Sequence, residues 1–163
     1  MLVSLVFVLS ACAPAEPSKW TQAAAKKVVM ASWQEVQDNG GQENFSDSGS
    51  DYRICYQPGG DYMAMYSNDT TGEASLVYET TSFMLFNAWA MVQASDLTFA
   101  TTPNGFSLKV PDWEVPMQVT VTGDRVDTLS YDYDGAVQVR TIQYSVDEDL
   151  KTKLIELAAM ELG

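Results

Sequence analysis

Residues 117–144 read MQVTVT-GD-RVDTLSYDY-DG-AVQVRTIQY, and this pattern sets the class of fold. Apolar side chains at Met117, Val119 and Val121 alternate with polar ones, which is the period of a half-buried strand. Gly123-Asp124 can form a tight turn, and Asp134-Gly135 is a strong signal for a type I′ hairpin turn. The sequence therefore predicts a meander of three antiparallel strands in this region.

The residues upstream of the meander carry further strand signals. Alternation and turn chemistry predict strands at 52–56, 62–66, 75–81, 97–102 and 106–110. The polar run QENFSDSGSD at 42–51 favours a loop. The apolar run FMLFNAWAMV at 83–92 fits either a buried strand pair or a short helix, because its period alone does not decide between them.

A helix is predicted on each side of the sheet in sequence order. The first spans 19–37, begins after an N-cap at Ser18 and is stopped by residues 39–41, which read NGG. Its apolar stripe consists of Ala25, Val29, Trp33 and Val36. The last spans 146–162, with a capping box of Ser145 and Glu148 and a C-cap at Gly163. Its predicted buried stripe consists of Leu150, Leu154, Leu157 and Ala158.

The order of these elements predicts an α+β fold. We expect an N-terminal helix, a twisted antiparallel β-sheet of half-barrel type and a C-terminal helix, with helices burying the apolar side of the sheet. Residues 19–163 are expected to form a single domain, since a chain of 163 residues favours one domain over two.

The beginning of the chain has the layout of an export signal. An apolar run at 2–9 has the length of a signal-peptide core, far below the roughly 20 residues needed to span a bilayer. Ser10, Ala11 and Cys12 follow, and then a proline-containing tether. This segment resembles the lipobox of bacterial lipoproteins, in which the cysteine becomes the acylated N-terminus. Another interpretation is an ordinary buried strand followed by a buried thiol.

The lipobox resemblance predicts how the N-terminal region is processed. Residues 1–11 would be a signal peptide, and residues 12–18 would be the lipidated Cys12, carrying acyl chains such as palmitate, with its tether. The mature protein would lie in the cell envelope, anchored to a membrane on its extracytoplasmic side. Because residues 1–3 contain no Lys or Arg, we expect the natural signal to begin further upstream.

Composition excludes several classes of function. The chain has 9 basic and 22 acidic residues, a formal charge of −13, which argues against binding nucleic acid or docking on anionic lipid headgroups. It suits a basic partner or simply solubility. With no histidine, Ser-His-Asp and Cys-His catalysis and most zinc and haem sites are excluded.

No motif for catalysis or for a cofactor is present, so we expect no enzymatic activity, no cofactor and no metal. The DYDG segment at 132–135 resembles a calcium loop only faintly; it lacks the closing Glu and is interpreted as a turn. Cys55 shares a predicted strand with aromatic residues and has no neighbouring base, so it is interpreted as a buried structural cysteine.

Aromatic and methionine residues crowd the central part of the chain, where they either fill the core or line the wall of a ligand site. Residues 116–144 resemble the closing strands of LolA-like half-barrel lipoproteins, with the LppX/LprG-type lipid carriers of actinobacterial envelopes as the nearest comparison. The resemblance implies that acyl chains are held between the concave sheet and its helices, and that the chain is a non-catalytic lipid-binding protein. The implied ligand-binding residues are Met63, Met65, Phe83, Phe86, Trp89, Phe99, Phe106, Trp113 and Met117.

A second functional class stays open. Small acidic envelope lipoproteins also resemble inhibitors of basic hydrolases such as lysozyme, in which an acidic loop enters the cleft of the enzyme. The acidic residues that could serve here are Asp47, Asp51, Asp61, Asp69 and Glu73. On this interpretation the chain is an acidic module for binding a protein partner.

Overall fold

The computed structural model of the chain describes residues 20–58, 63–67 and 71–162, with the backbone alone at 63–67 and 162. The predicted signal peptide, Cys12 and the tether therefore lie outside the described residues, as does the predicted C-cap Gly163. Within the described part of the chain there are three α-helices, α1 (Gln22–Asn39), α2 (Met84–Met91) and α3 (Glu148–Leu162), and a 3₁₀ turn at Thr80–Ser82.

Nine strands in the described residues form one open antiparallel sheet, so the predicted α+β class is confirmed. The strands are β1 (Gly41–Asp47), β2 (Ser50–Tyr56), β3 (Met63–Ser67), β4 (Glu73–Val77), β5 (Thr98–Thr102), β6 (Gly105–Lys109), β7 (Met117–Thr122), β8 (Arg125–Tyr133) and β9 (Ala136–Gln143). Their order across the sheet is β4-β3-β2-β1-β9-β8-β7-β6-β5. Two meanders, β1–β4 and β5–β9, are thus joined where β1 pairs with β9.

The prediction of a loop at 42–51 is wrong, because β1 lies in the middle of the sheet between β2 and β9. Its polar side chains are paired by residues far away in sequence. Gln42, for example, donates to the carboxylate of Asp147 at 2.9 Å and accepts from the Asp147 amide at 2.9 Å. A strand of this composition stays in a sheet because these buried polar groups are hydrogen-bonded.

The predicted meander and its turns are confirmed. Asp134 and Gly135 have φ angles of 54° and 80°, as a type I′ turn requires. The carboxylate of Asp132 accepts a hydrogen bond from the Gly135 amide at 3.0 Å. The interpretation of residues 132–135 as a turn is therefore correct.

The first and last helices begin at other residues than predicted, and the structure decides the run that the sequence left open. α1 is capped by Thr21, whose hydroxyl accepts from the Ala24 amide at 3.1 Å, whereas Ser18 lies outside the described residues. The ambiguous run at 83–92 contains a helix, α2. α3 begins at Glu148, so the predicted capping box with Ser145 is wrong, and Asp147 precedes the first helical residue.

The two faces of the sheet are covered by different helices. α1 and α2 share one core with Ile54, Phe106 and Leu129, whereas α3 packs Leu150 and Leu154 against Cys55. Ile54 and Cys55 are neighbours on β2 and must point to opposite faces. Cys55 is fully buried, as predicted. None of the described helices combines the length and the hydropathy that a transmembrane helix needs.

Candidate functional site

A charged pair, Glu43 on β1 and Arg140 on β9, lies within the core on the face covered by α1 and α2. The side chain of Glu43 is 0% exposed and that of Arg140 is 9% exposed, and Nη1 of Arg140 donates to Oε2 of Glu43 at 2.9 Å. Each partner therefore compensates the charge of the other in a place where an unpaired charge would be strongly unfavourable.

Glu43 also holds the N-terminus of α2. Its two carboxylate oxygens accept hydrogen bonds from the backbone amides of Met84 (2.9 Å) and Leu85 (2.7 Å). These amides have no partner inside the helix, so a carboxylate from β1 does the work of a local N-cap. Burial raises the pKa of Glu43, and the Arg140 charge and the two amides oppose that rise.

Arg140 is surrounded by acceptors and by aromatic rings. It donates from Nε to Oε1 of Gln138 (3.1 Å) and from Nη1 to the Ser82 carbonyl (2.7 Å). Its guanidinium carbon lies 4.3 Å from the ring centroid of Phe45 and 5.5 Å from that of Tyr131. Arg140 also hydrogen-bonds with Tyr131, so its guanidinium is held by Glu43, Gln138, Ser82 and Tyr131 together.

Tyr131 completes this network. Its hydroxyl donates to Oε1 of Gln138, the same oxygen that Arg140 contacts. Burial raises the pKa of Tyr131 to about 12, the Arg140 charge opposing the rise, so the phenol stays protonated at physiological pH. The one proton of the Tyr131 hydroxyl is therefore used for Gln138, and it is the ring of Tyr131 that lines the grooves described next.

A groove of about 390 Å³ opens beside this pair, and we call it the aromatic groove. Its walls come from β1, β2, β8, β9 and the start of α2. The lining residues that matter below are Phe45, Asp47, Tyr52, Tyr131, Tyr133 and Arg140. The rings of Phe45 and Tyr52 are stacked, with their centroids 5.2 Å apart.

A second groove of about 550 Å³, which we call the acidic groove, adjoins the first. Thr81, Met84, Tyr131 and Tyr133 line both. The acidic groove is closed on its other sides by residues 112–115 and by the turn between β8 and β9. Each groove has a volume in the range typical of ligand sites.

The lining of the acidic groove carries four carboxylates, from Asp112, Glu114, Asp132 and Asp134, and no Lys or Arg. In the described part of the chain, only Asp132 among them makes a hydrogen bond, the one to the turn amide of Gly135. Trp113 lies between the first two acids in sequence, and its ring centroid is 6.0 Å from that of Tyr131. The groove therefore combines negative charge with aromatic surface.

The nine residues predicted to bind a ligand occupy different environments. Phe83, Phe106 and Met117 are fully buried and fill the core. Phe86, Trp89 and Phe99 are partly buried and pack against that core. Trp113 is the residue of this set that lines the acidic groove. The side chains of Met63 and Met65 lie outside the described part of the structure.

The acidic residues predicted to meet a basic enzyme are spread along the first strands. Asp47 and Asp51 flank the turn between β1 and β2, Glu73 begins β4, and Asp61 and Asp69 lie outside the described residues. Of these, Asp47 reaches the aromatic groove. Among the described residues, no group of three or more Cys, Asp or Glu side chains is placed to hold a metal ion.

Comparisons with protein-family models, with curated proteins and with solved structures find no match to this chain. The resemblances to a lipobox and to half-barrel lipid carriers therefore stay predictions. Sequence reasoning missed the buried pair and the acidic groove, although Arg140 at an inward position of the predicted strand was a signal that an acidic partner lies opposite.

Proposed function

We propose that the chain is a non-enzymatic binding protein of the bacterial cell envelope, anchored through a lipid on Cys12, and that its acidic groove binds a basic segment of a protein partner. The observation that carries the proposal is the lining of that groove, with four carboxylates, no basic side chain and the aromatic residues Trp113, Tyr131 and Tyr133. The net charge of −13 adds long-range attraction for a basic partner.

The neighbouring aromatic groove supports a polypeptide rather than a simple cation as the ligand. The rings of Phe45 and Tyr52 line this groove and can contact apolar side chains of the bound segment. Tyr131 and Tyr133 line both grooves, so one extended segment can contact carboxylates in the first and the rings of Phe45 and Tyr52 in the second.

The proposal is tested by titrating a fluorescein-labelled peptide of six arginines and following its anisotropy at low ionic strength. In a variant with Asp112→Asn, Glu114→Gln and Asp134→Asn, we expect the affinity to fall at least about tenfold, because three of the four groove charges are gone. Asp132 is retained since it holds the Gly135 amide. Binding of the unaltered chain should weaken with added salt.

A matched control separates the groove from the net charge. The variant Asp96→Asn, Asp124→Asn, Glu156→Gln removes the same number of charges from exposed positions outside the groove. It should bind the peptide within about threefold of the unaltered chain, a small loss due to long-range charge. Equal losses in the two triple variants would contradict a specific role of the groove.

An apolar ligand is a second candidate function, and the stacked Phe45 and Tyr52 in the aromatic groove favour it. A lipid acyl chain held there would make the chain a lipid-binding protein, as the half-barrel resemblance implies. Native mass spectrometry of the purified protein, beside an organic extract of the same sample, tests this idea. An acyl species that co-purifies and is lost in Tyr52→Asp would support it, and a clean apo mass that added fatty acid leaves unchanged would contradict it.

A further inference from the structure

The acidic groove presents carboxylates beside exposed and half-buried aromatic rings. The cationic side chains of proteins differ in how well they contact such a combination of groups. Tyr133 is 63% exposed, Trp113 is half-buried, and the carboxylates of Asp132, Asp134 and Glu114 belong to the same lining. We infer that the groove selects arginine over lysine in the basic segment that it binds. This inference rests on the proposed function and adds the identity of the recognised side chain.

The guanidinium of arginine and the ammonium of lysine differ in shape, in hydration and in how they contact aromatic rings. A guanidinium is planar, stacks on aromatic faces and offers a fork of donors that matches a carboxylate, and it is less strongly hydrated than an ammonium. An ammonium is a compact and strongly hydrated point charge, so it gains from the carboxylates but less from the rings. A groove of carboxylates alone would therefore distinguish the two weakly, whereas one that also presents rings favours arginine.

A guanidinium held in this way lies immediately beside the groove. Arg140 lies 4.3 Å from the Phe45 centroid and 5.5 Å from the Tyr131 centroid while donating to the carboxylate of Glu43. Tyr131 also lines the acidic groove. The face of Tyr131 is therefore already part of one guanidinium site, and the adjoining groove repeats the combination of ring and carboxylate on the solvent side.

The test compares two labelled peptides of equal charge, six arginines and six lysines, by anisotropy with the full chain at the same ionic strength. We expect the arginine peptide to bind at least about tenfold more tightly. The preference should persist as salt is added, because salt weakens the charge contribution to both peptides alike while stacking on the rings is less affected.

Variants of Tyr133 identify the source of the preference, and because this side chain is exposed they should leave the fold intact. Tyr133→Leu should reduce the preference to about threefold or less, because the arginine peptide loses more affinity than the lysine peptide when the ring is removed. Tyr133→Phe retains the ring and should retain the preference. Circular dichroism of each variant confirms folding.

The outcomes separate the two proposals. Equal affinities for the peptides, or tighter binding of the lysine peptide, would overturn the selection of arginine and leave the acidic groove as a site for basic segments. No binding of either peptide at low salt would overturn both. A preference for arginine that Tyr133→Leu leaves unchanged would also refute the role of the rings in this groove.

Discussion

Replacing Glu43 with alanine perturbs the buried pair and the start of α2 together. The fully buried carboxylate accepts hydrogen bonds from the Met84 and Leu85 amides, at 2.9 and 2.7 Å, and from Arg140, at 2.9 Å. Alanine would leave a guanidinium of 9% exposure without its counter-charge, and two helix amides without an acceptor. Removing one partner of a buried pair costs about 3–5 kcal/mol and losing an N-cap about 1 kcal/mol, so we expect a loss of about 4–6 kcal/mol.

The expected loss is a large share of the roughly 5–15 kcal/mol by which folded proteins are stable. Urea unfolding followed by tryptophan fluorescence measures it. With a slope of about 2 kcal/mol per molar, the midpoint should fall by about 2–3 M. Glu43→Gln serves as the control of equal size, because it keeps a carbonyl acceptor for one amide and should lose less. A loss below about 1 kcal/mol in the alanine variant would refute the assignment of Glu43 as a structural anchor.

A double-mutant cycle separates the ion pair from the cap. Arg140→Ala alone leaves the Glu43 carboxylate with the two amides, whereas the double variant removes both charges. If the charges interact as the 2.9 Å contact indicates, the double variant should be less destabilised than the sum of the single variants, by about 0.5–3 kcal/mol. Strict additivity would mean that α2 is held by the amide contacts without a contribution from the pair.

Two further predictions concern the sheet and its α3 edge. Gly105→Ala should lower the free energy of unfolding in urea by about 1–3 kcal/mol, because a Cβ at this position would lie 1.9 Å from the backbone oxygen of Val119. A decrease no greater than that of the control Ser107→Ala would contradict this close packing. The pKa of Asp147 is lowered by hydrogen bonds from Gln143 and Gln42, and that of Asp149 by Arg53. Both folded pKa values lie below the unfolded value of about 3.9, so the two carboxylates stabilise the fold above about pH 4 and this stabilisation is lost as the pH falls through the folded values. A double variant with Asp147→Asn and Asp149→Asn should therefore show a shallower decline of the urea midpoint between about pH 5 and 2. An unchanged decline would contradict this source of acid sensitivity.

The meander and the first helix could be predicted from sequence because their signals are local. Val119 and Leu129 repeat with the period of a strand, Asp134-Gly135 carries its own turn chemistry, and Trp33 lies on a helical stripe; the structure buries all three apolar side chains. Each of these signals depends on residues within a few positions of one another. The predicted fold class is correct for that reason.

β1 could not be predicted because what stabilises it is distant in sequence. Gln42 contacts Asp147, and Glu43 contacts Arg140 and the amides of Met84 and Leu85, residues about 40 to 100 positions away. A polar segment with no visible partner favours a loop by composition, and partners of this kind become known only once the sheet order is known. The acidic groove could not be predicted for the same reason, because its walls come from two separate segments, residues 112–115 and the turn at 132–135.

The buried pair and the grooves are parts of one arrangement. Glu43 lines neither groove, yet it fixes the amide of Met84, and Met84 lines both of them. Arg140 in turn holds the Ser82 carbonyl at 2.7 Å, in the short turn that leads into α2. A buried ion pair adds little net stability compared with apolar residues of the same size, so the role of this pair is better explained by the position that it gives to α2 than by stability. The pair links β1 and β9 to the start of α2, and residues of all three elements line the aromatic groove.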